Sequence, residues 1–255
     1  MSARRLLSSA LLIFSLAGGC VTALPPPRET MSEEARRAVA LLQSRWQEFS
    51  DLRALADVLV ERGGGKQQLT AALLLKAPAA VRFEALSPFG PPLVIATIHE
   101  GQLVVYNAAS NSATVGPATP DTAGRLFSLA VAPDELVGLL AGRAVPPKDL
   151  RVATILPADE HGPSLEMIGA LHTQRVWMDF TTGVVRRVQI TGGRIEALLI
   201  YRHADDGTLT GFTLAAAQGN VTGAVRYRDL EINAGIEPER FPLTIPAGAS
   251  IERLR

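Results

Sequence analysis

Two periodicities divide this chain. Between Ala35 and Phe49 apolar side chains recur every three or four residues, with charged or amide side chains between them. That spacing predicts an amphipathic helix, and the capping-box pattern Thr30-Met31-Ser32-Glu33 predicts its start. After residue 50 the period changes to two, which predicts half-buried strands. These segments are Leu52–Glu61, Gln67–Lys76, Val81–Ala85, Leu93–His99, Gln102–Asn107, Arg175–Phe180, Val184–Ile190, Arg194–Arg202, Thr208–Gln218 and Val221–Ile232.

A helical insertion separates the two groups of predicted strands. Thr119 followed by Pro120 has the pattern of an N-cap and a first helical residue. Pro133-Asp134-Glu135 starts a second short helix that runs through Leu140, and Gly142 can end it. Both helices have little polar surface. We therefore expect them either to be buried on the sheet or to cover an opening in it.

The first residues have the pattern of a targeting segment. Arg4 and Arg5 precede an apolar run that ends in small residues, and the run is too short to span a bilayer. Residues 1–19 are therefore interpreted as a secretory signal peptide. Cys20 follows it and is the only cysteine, so it cannot form an internal disulfide. Residues 20–32 contain Pro25-Pro26-Pro27 and are expected to form a stiff tether before a domain at 33–255.

The residues before Cys20 resemble the lipobox of bacterial lipoproteins, with Ala17 where that motif commonly has leucine. The resemblance implies a diacylglyceryl group on Cys20, usually with a third acyl chain of the palmitate class. In that family an aspartate after the cysteine commonly marks retention at the inner membrane. Val21 stands there, which implies the periplasmic face of the outer membrane. The alternative is an ordinary secretory signal with an incidental cysteine.

Composition and charge narrow the function classes. Apolar residues make up 47% of the chain but aromatic residues only 5%, so leucine, valine, isoleucine and alanine must build the interior. Positive and negative charges balance at 25 each, which gives no basic surface for nucleic acid. His99-Glu100 begins like a zinc-protease motif, but Leu103 stands where the second histidine ligand would be. With no Gly-x-Ser-x-Gly elbow either, we expect no enzyme activity, metal or cofactor.

Together these elements predict an α+β fold: one large curved antiparallel sheet, an open half-barrel, with an N-terminal helix and a mid-chain helical lid. This order resembles the LolA/LolB-like fold, and most closely its LolB side. The resemblance lies in the strand and loop Val81–Gly90, the helical pair Asp121–Arg143, and Pro238–Gly248, which is similar to the family's final strand. It implies a lipoprotein that accepts lipoproteins, or a related lipid, from a periplasmic LolA-like carrier and inserts them into the outer membrane.

Such a protein would hold acyl chains in an apolar cavity, and few aromatic rings would leave room for one. The expected wall residues come from alternating strand positions and from the insertion: Leu73, Leu75, Phe83, Ile95, Leu126, Phe127, Leu136 and Leu140. Phe89 lies between Pro88 and Gly90 at a predicted loop tip. The LolB family has a protruding hydrophobic residue at the matching loop, so the resemblance implies that Phe89 contacts the membrane.

Two other interpretations remain open. A filled interior would make this a non-catalytic structural or assembly-partner lipoprotein of the envelope, with the same eight residues as plain core and Phe89 folded back onto it. An enzyme with unrecognised chemistry is the third. A lipid found in protein purified without its anchor would favour the binding module, and a dry, filled interior would favour the structural protein.

Overall fold

A computed structural model describes residues 31–87, 90–193, 195–217 and 220–254. Cys20, the proline-rich tether and Phe89 lie outside these ranges. Within them the chain forms one 14-stranded, mostly antiparallel sheet and three α-helices, which confirms the predicted α+β class with an N-terminal helix and a helical insertion. No helix in the described part of the chain is both long and apolar enough to cross a membrane.

The elements follow the chain in a simple order. The helices are α1 (Glu33–Gln47), α2 (Pro120–Phe127) and α3 (Pro133–Leu140). The strands are β1 (Asp51–Arg62), β2 (Gly65–Lys76), β3 (Ala80–Ser87), β4 (Gly90–His99), β5 (Gln102–Asn107), β6 (Ser112–Pro117), β7 (Val152–Asp159), β8 (Gly162–Ile168), β9 (Thr173–Met178), β10 (Val185–Gly192), β11 (Ile195–His203), β12 (Leu209–Ala216), β13 (Val221–Ile232) and β14 (Ser250–Arg253).

Strand pairing joins the two groups of strands through the first and the thirteenth. The sheet order is β14-β6-β5-β4-β3-β2-β1-β13-β12-β11-β10-β9-β8-β7. Every neighbouring pair is antiparallel except β14 and β6, which are parallel. The pairing of β1 with β13 brings together segments that are far apart in sequence, and it places both strands in the middle of the sheet.

Helix α1 begins two residues later than its capping pattern predicted. Its N-cap is Ser32, whose hydroxyl oxygen accepts a hydrogen bond from the Ala35 N–H at 3.2 Å. The cap is therefore Ser32 and not Thr30, because the Ser32 hydroxyl is the group that satisfies a free N–H of the first turn. The apolar face was predicted correctly: Ala35, Ala38 and Leu42 are among its buried residues.

The segment Pro238–Gly248 was expected to be the final strand, and that expectation is wrong. It is a short 3₁₀ turn followed by irregular backbone, and the last strand comes after it at β14. Phe241 is fully buried and its ring stacks on His99 at 6.2 Å between centroids. Arg82 also donates a hydrogen bond to the Pro242 carbonyl at 2.8 Å. These contacts hold the segment against one side of β3 and β4 instead of along a strand edge.

Candidate functional site

One side of the sheet forms an apolar groove, and cross-strand register identifies the residues on that side. Directly paired residues share a face, and the face repeats every second residue. Helices α2 and α3 lie over this face and enclose a cavity of about 290 Å³. Its lining residues are Ala56, Val58, Val60, Ala71, Leu73, Val81, Phe83, Ala96, Thr97, Ile98, Phe127, Leu129, Leu136, Leu140, Leu214, Val225 and Tyr227.

Five of the eight wall residues expected from the sequence line this groove. Leu73 and Phe83 are direct cross-strand partners on β2 and β3. Phe127 is the last residue of α2 and remains 39% exposed. Leu136 and Leu140 face the cavity from α3. The strands therefore form the floor of the groove, and the insertion forms its cover.

The other three expected wall residues are elsewhere. Ile95 pairs with Glu84 on β3 and with Tyr106 on β5, which places it on the opposite face of the sheet. Leu75 is on the groove face but lies fully buried in the core, outside the cavity. Leu126 is half-buried and packs against the core instead of lining the cavity.

Sequence reasoning missed most of the lining on the central strands. Val58 and Val225 are cross-strand partners on β1 and β13, and Leu214 lies on the adjacent β12. The alternation of β1 and β13 does place these residues on one face of each strand. Alternation does not show which strands pair with each other. The pairing of β1 with β13 is what places both faces beside the same cavity.

The groove is closed at one end and open at the other. On the groove face of β1, Ala54 and Ala56 are buried, whereas Val58 and Val60 are half-buried and Arg62 is exposed. The exposed fraction thus increases toward the turn between β1 and β2. The end of the groove beside this turn is therefore the more exposed end, and the end beside Ala54 and Ala56 is the buried one.

Two tyrosines fix the C-terminal end of α3 to the sheet. The Tyr201 hydroxyl donates to the Leu139 carbonyl at 2.9 Å, and the Tyr227 hydroxyl donates to the Leu140 carbonyl at 2.6 Å. The last carbonyls of a helix have no partner within it, so these bonds satisfy them. Burial raises the pKa of both phenols above the ordinary value, because it deprives the charged phenolate form of hydration.

A buried polar cluster fixes the N-terminal end of α3. Glu135 Oε1 lies 3.0 Å from His172 Nε2 and accepts a hydrogen bond from Gln174 Nε2 at 2.8 Å. The other oxygen of Glu135 accepts from the Ala132 N–H at 3.0 Å, which caps the helix. All three side chains are buried, so each depends on the others for its hydrogen bonds.

The described lining of the groove is almost entirely apolar. Among the described lining residues, Tyr227 alone presents a polar side chain to the groove, and its hydroxyl is already bonded to α3. Thr97 pairs with Arg82, so its side chain lies on the face opposite Ala96. Among the described residues, no group of three His, Cys, Asp or Glu side chains is arranged to hold a metal ion. An apolar concave surface of this kind binds hydrocarbon by burying it from water.

Comparison with solved structures identifies the fold. A LolA superfamily protein from Nitrosomonas europaea superposes with a TM-score of 0.54 at 10% identity, covering 81% of this chain and 97% of that one. This chain has the LolA-like fold. A domain named for outer-membrane lipoprotein sorting, from Vibrio parahaemolyticus, superposes on the LolA-like sheet with a TM-score of 0.57 at 14% identity, covering 81% and 97%.

A DUF1329 family protein from Desulfovibrio piger superposes on this LolA-like fold with a TM-score of 0.60 at 13% identity, covering 83% of this chain and 98% of that one. No protein-family model matches the sequence, and no curated protein does. At these identities the structural similarity establishes the fold, and function has to be argued from the groove itself.

Proposed function

We propose that this protein is an envelope lipoprotein that binds an acyl chain in the groove between its sheet and helices α2 and α3. The observation that carries this proposal is the cavity of about 290 Å³, lined almost entirely by aliphatic and aromatic side chains and open at one end. Small-molecule sites start at roughly this size, about 300 Å³. Such a cavity accommodates one hydrocarbon chain and leaves the ligand's polar end outside.

The proposed role is transfer of lipoproteins, or of a related lipid, at the outer membrane. Cys20 would carry the lipid anchor, and the tether with Pro25-Pro26-Pro27 would hold the domain a short distance from the bilayer. A periplasmic LolA-like carrier would supply the cargo. Structural neighbours named for lipoprotein sorting and for the LolA superfamily support this class of function.

The groove can be tested by filling it. Val58 is a half-buried lining residue, whereas its neighbour Leu59 points to the opposite face of β1. In the mature chain with Cys20→Ser, Val58→Trp should abolish binding of a fluorescent fatty acid, because the indole occupies the volume of the ligand. Leu59→Trp adds the same ring outside the groove and should leave binding unchanged.

Thermal unfolding separates the outcomes of this experiment. Both tryptophan variants should unfold cooperatively within a few degrees of the parent chain. An unfolded Val58→Trp variant would mean that the interior is filled, as the alternative of a structural envelope lipoprotein requires. Fatty-acid binding that survives in a folded Val58→Trp variant would also contradict the proposal.

Phe89 is proposed as the membrane-contact residue for transfer. Burying a phenylalanine side chain contributes about 1.5–3 kcal/mol, enough for a brief contact by a tethered protein. Phe89→Glu should therefore keep the melting temperature and fatty-acid binding but slow the transfer of bound lipid to liposomes. A fall of several degrees in melting temperature would instead show that the ring belongs to the core.

A further inference from the structure

The open end of the groove changes from apolar to charged along a ladder of cross-strand pairs. Side chains on β1 alternate between faces, so positions 58, 60 and 62 all lie on the groove face. Each of them has a direct partner on β2. Moving outward, the pairs are Val58 with Leu69, Val60 with Gln67, and Arg62 with Gly65. An aliphatic pair is thus followed by an amide, and then by a guanidinium.

The charge of Arg62 has no partner among the residues that the structure describes. The neighbouring charges, Glu61 and Lys66, form an ion pair with each other at 3.2 Å, and both lie on the opposite face of the hairpin. Within the described residues, the side chain of Arg62 makes no ion pair or hydrogen bond. Its partner across the hairpin, Gly65, has no side chain, so no cross-strand side chain covers Arg62 on the groove face.

No carboxylate lies on the groove face of the flanking strands at this end, within the described residues. The groove-face residues of the flanking strands at this end are small, apolar or hydroxyl-bearing: Ala85 and Ser87 on β3, Leu214 and Ala216 on β12, and Val221 and Gly223 on β13. Arg62 is therefore the one charge on the groove face of these strands at the open end, among the residues that the structure describes. An anion held there would meet no opposing negative side chain.

We propose that the ligand is a single-chain amphiphile with an anionic head, a carboxylate or a phosphate monoester, and that Arg62 binds this head. The inference rests on the proposed acyl-binding function and, of the two cargoes proposed above, selects the related lipid over a lipoprotein. The chain lies along Val58 and Val60, and the head reaches Arg62 about 7 Å beyond Val60. A guanidinium suits this because its planar donors bind carboxylate and phosphate oxygens in pairs. The Gln67 amide lies between the aliphatic pair and Arg62, where it can hydrogen-bond to a polar atom next to the head.

The test compares heads on a constant chain. Dodecanoate, dodecyl phosphate, dodecanol and dodecyltrimethylammonium are titrated calorimetrically into the mature Cys20→Ser chain. The ionic amphiphiles are kept below their micelle concentrations, and dodecanol is kept below its solubility limit. Both anionic amphiphiles should bind more tightly than the alcohol, and the cation should bind most weakly. The stronger of the two anions then identifies the natural head as carboxylate or phosphate.

Two variants locate the head. Arg62→Gln should weaken binding of the anionic amphiphiles about threefold to fivefold, the range for one exposed ion pair, and leave dodecanol unchanged. The effect should shrink at high salt. Lys66→Gln removes the same charge from the opposite face of the hairpin and should change none of the affinities.

These titrations distinguish the absence of a headgroup site from the absence of acyl binding. Equal binding of all four heads, or equal losses in Arg62→Gln and Lys66→Gln, would overturn the headgroup site while leaving acyl binding in place. If none of the four amphiphiles binds the parent chain, the proposed acyl-binding function itself is overturned.

Discussion

The two helices that cover the groove are attached to the sheet in different ways. Helix α3 is anchored at both ends, by Glu135 at its start and by Tyr201 and Tyr227 at its end, and its residues from Asp134 to Leu139 are buried. Helix α2 buries only Thr122 and Ala123, and it ends at the exposed ring of Phe127.

This difference in attachment predicts that the two helices differ in how easily they move away from the sheet. A helix with buried side chains and buried hydrogen bonds at both ends opens only at a free-energy cost close to that of unfolding its surroundings. A helix held by two buried residues opens at a lower cost. We therefore expect α3 to act as a fixed wall of the groove and α2 to move when a chain enters.

Truncating one lining side chain in each helix gives the largest expected contrast. Leu136→Ala in α3 should lower the free energy of unfolding by about 2–4 kcal/mol, because it leaves a cavity at a site that is 9% exposed. Phe127→Ala in α2 should cost about 1 kcal/mol or less, although it removes more atoms. Denaturant titration measures both values, and equal losses would contradict the distinction between wall and moving cover.

Adding a methyl group gives a second contrast of intermediate size. A Cβ on Gly138 of α3 would overlap the Val145 side chain and approach the Arg143 carbonyl to 3.2 Å, whereas one on Gly124 of α2 would lie 3.0 Å from the Ala130 Cβ. Alanine gains about 1 kcal/mol over glycine in a helix. Gly138→Ala should nevertheless lose about 1–3 kcal/mol through overpacking.

Gly124→Ala is the matched control for that substitution. The gain in helix propensity and the cost of the milder crowding should nearly cancel. The free energy of unfolding should therefore change by less than about 1 kcal/mol. The melting temperatures of the two variants, measured side by side, provide the comparison. A stable Gly138→Ala variant would show that α3 can shift away from the sheet without cost.

Removing one hydroxyl from the α3 anchor has the smallest expected effect. Tyr227→Phe keeps the ring and deletes the donor to the Leu140 carbonyl, so it should cost about 1–2 kcal/mol and speed amide hydrogen exchange in α3. Tyr106→Phe removes an exposed bond to Asn111 and should be nearly neutral. Exchange that accelerates in α2 but not in α3 would contradict the anchoring described above.

Alternation and turn residues predicted most of the sheet from the sequence, and the strands that escaped prediction have physical reasons. Strand β14 is exposed at all four positions, so no apolar alternation marks it. Strand β7 lies at the sheet edge and contains Pro157. An edge strand tolerates proline, but in the sequence a proline indicates the end of a strand. Strands β6 and β8 are short and contain glycine and proline.

The groove was predictable in kind but only partly in its residues. Phe127, Leu136 and Leu140 were predicted correctly as lining residues, because helices with little polar surface must pack on an apolar face of the sheet. Ile95 was placed on the wrong face because strand periodicity gives two faces and does not say which one is inside. Val225 could not be assigned, since its position beside Val58 depends on a pairing between the two ends of the domain.

The most direct test of the groove is the position of a bound chain. Methyl NMR spectra of the mature Cys20→Ser chain, recorded with dodecanoate that carries a spin label on its chain, report which side chains it approaches. We predict strong broadening of the methyl signals of Leu73, Leu214 and Val225, which line the groove. Leu59 and Leu198, on the opposite face, should keep their intensity. Broadening of Leu59 and Leu198 instead, with sharp signals from the groove residues, would contradict acyl binding at this site.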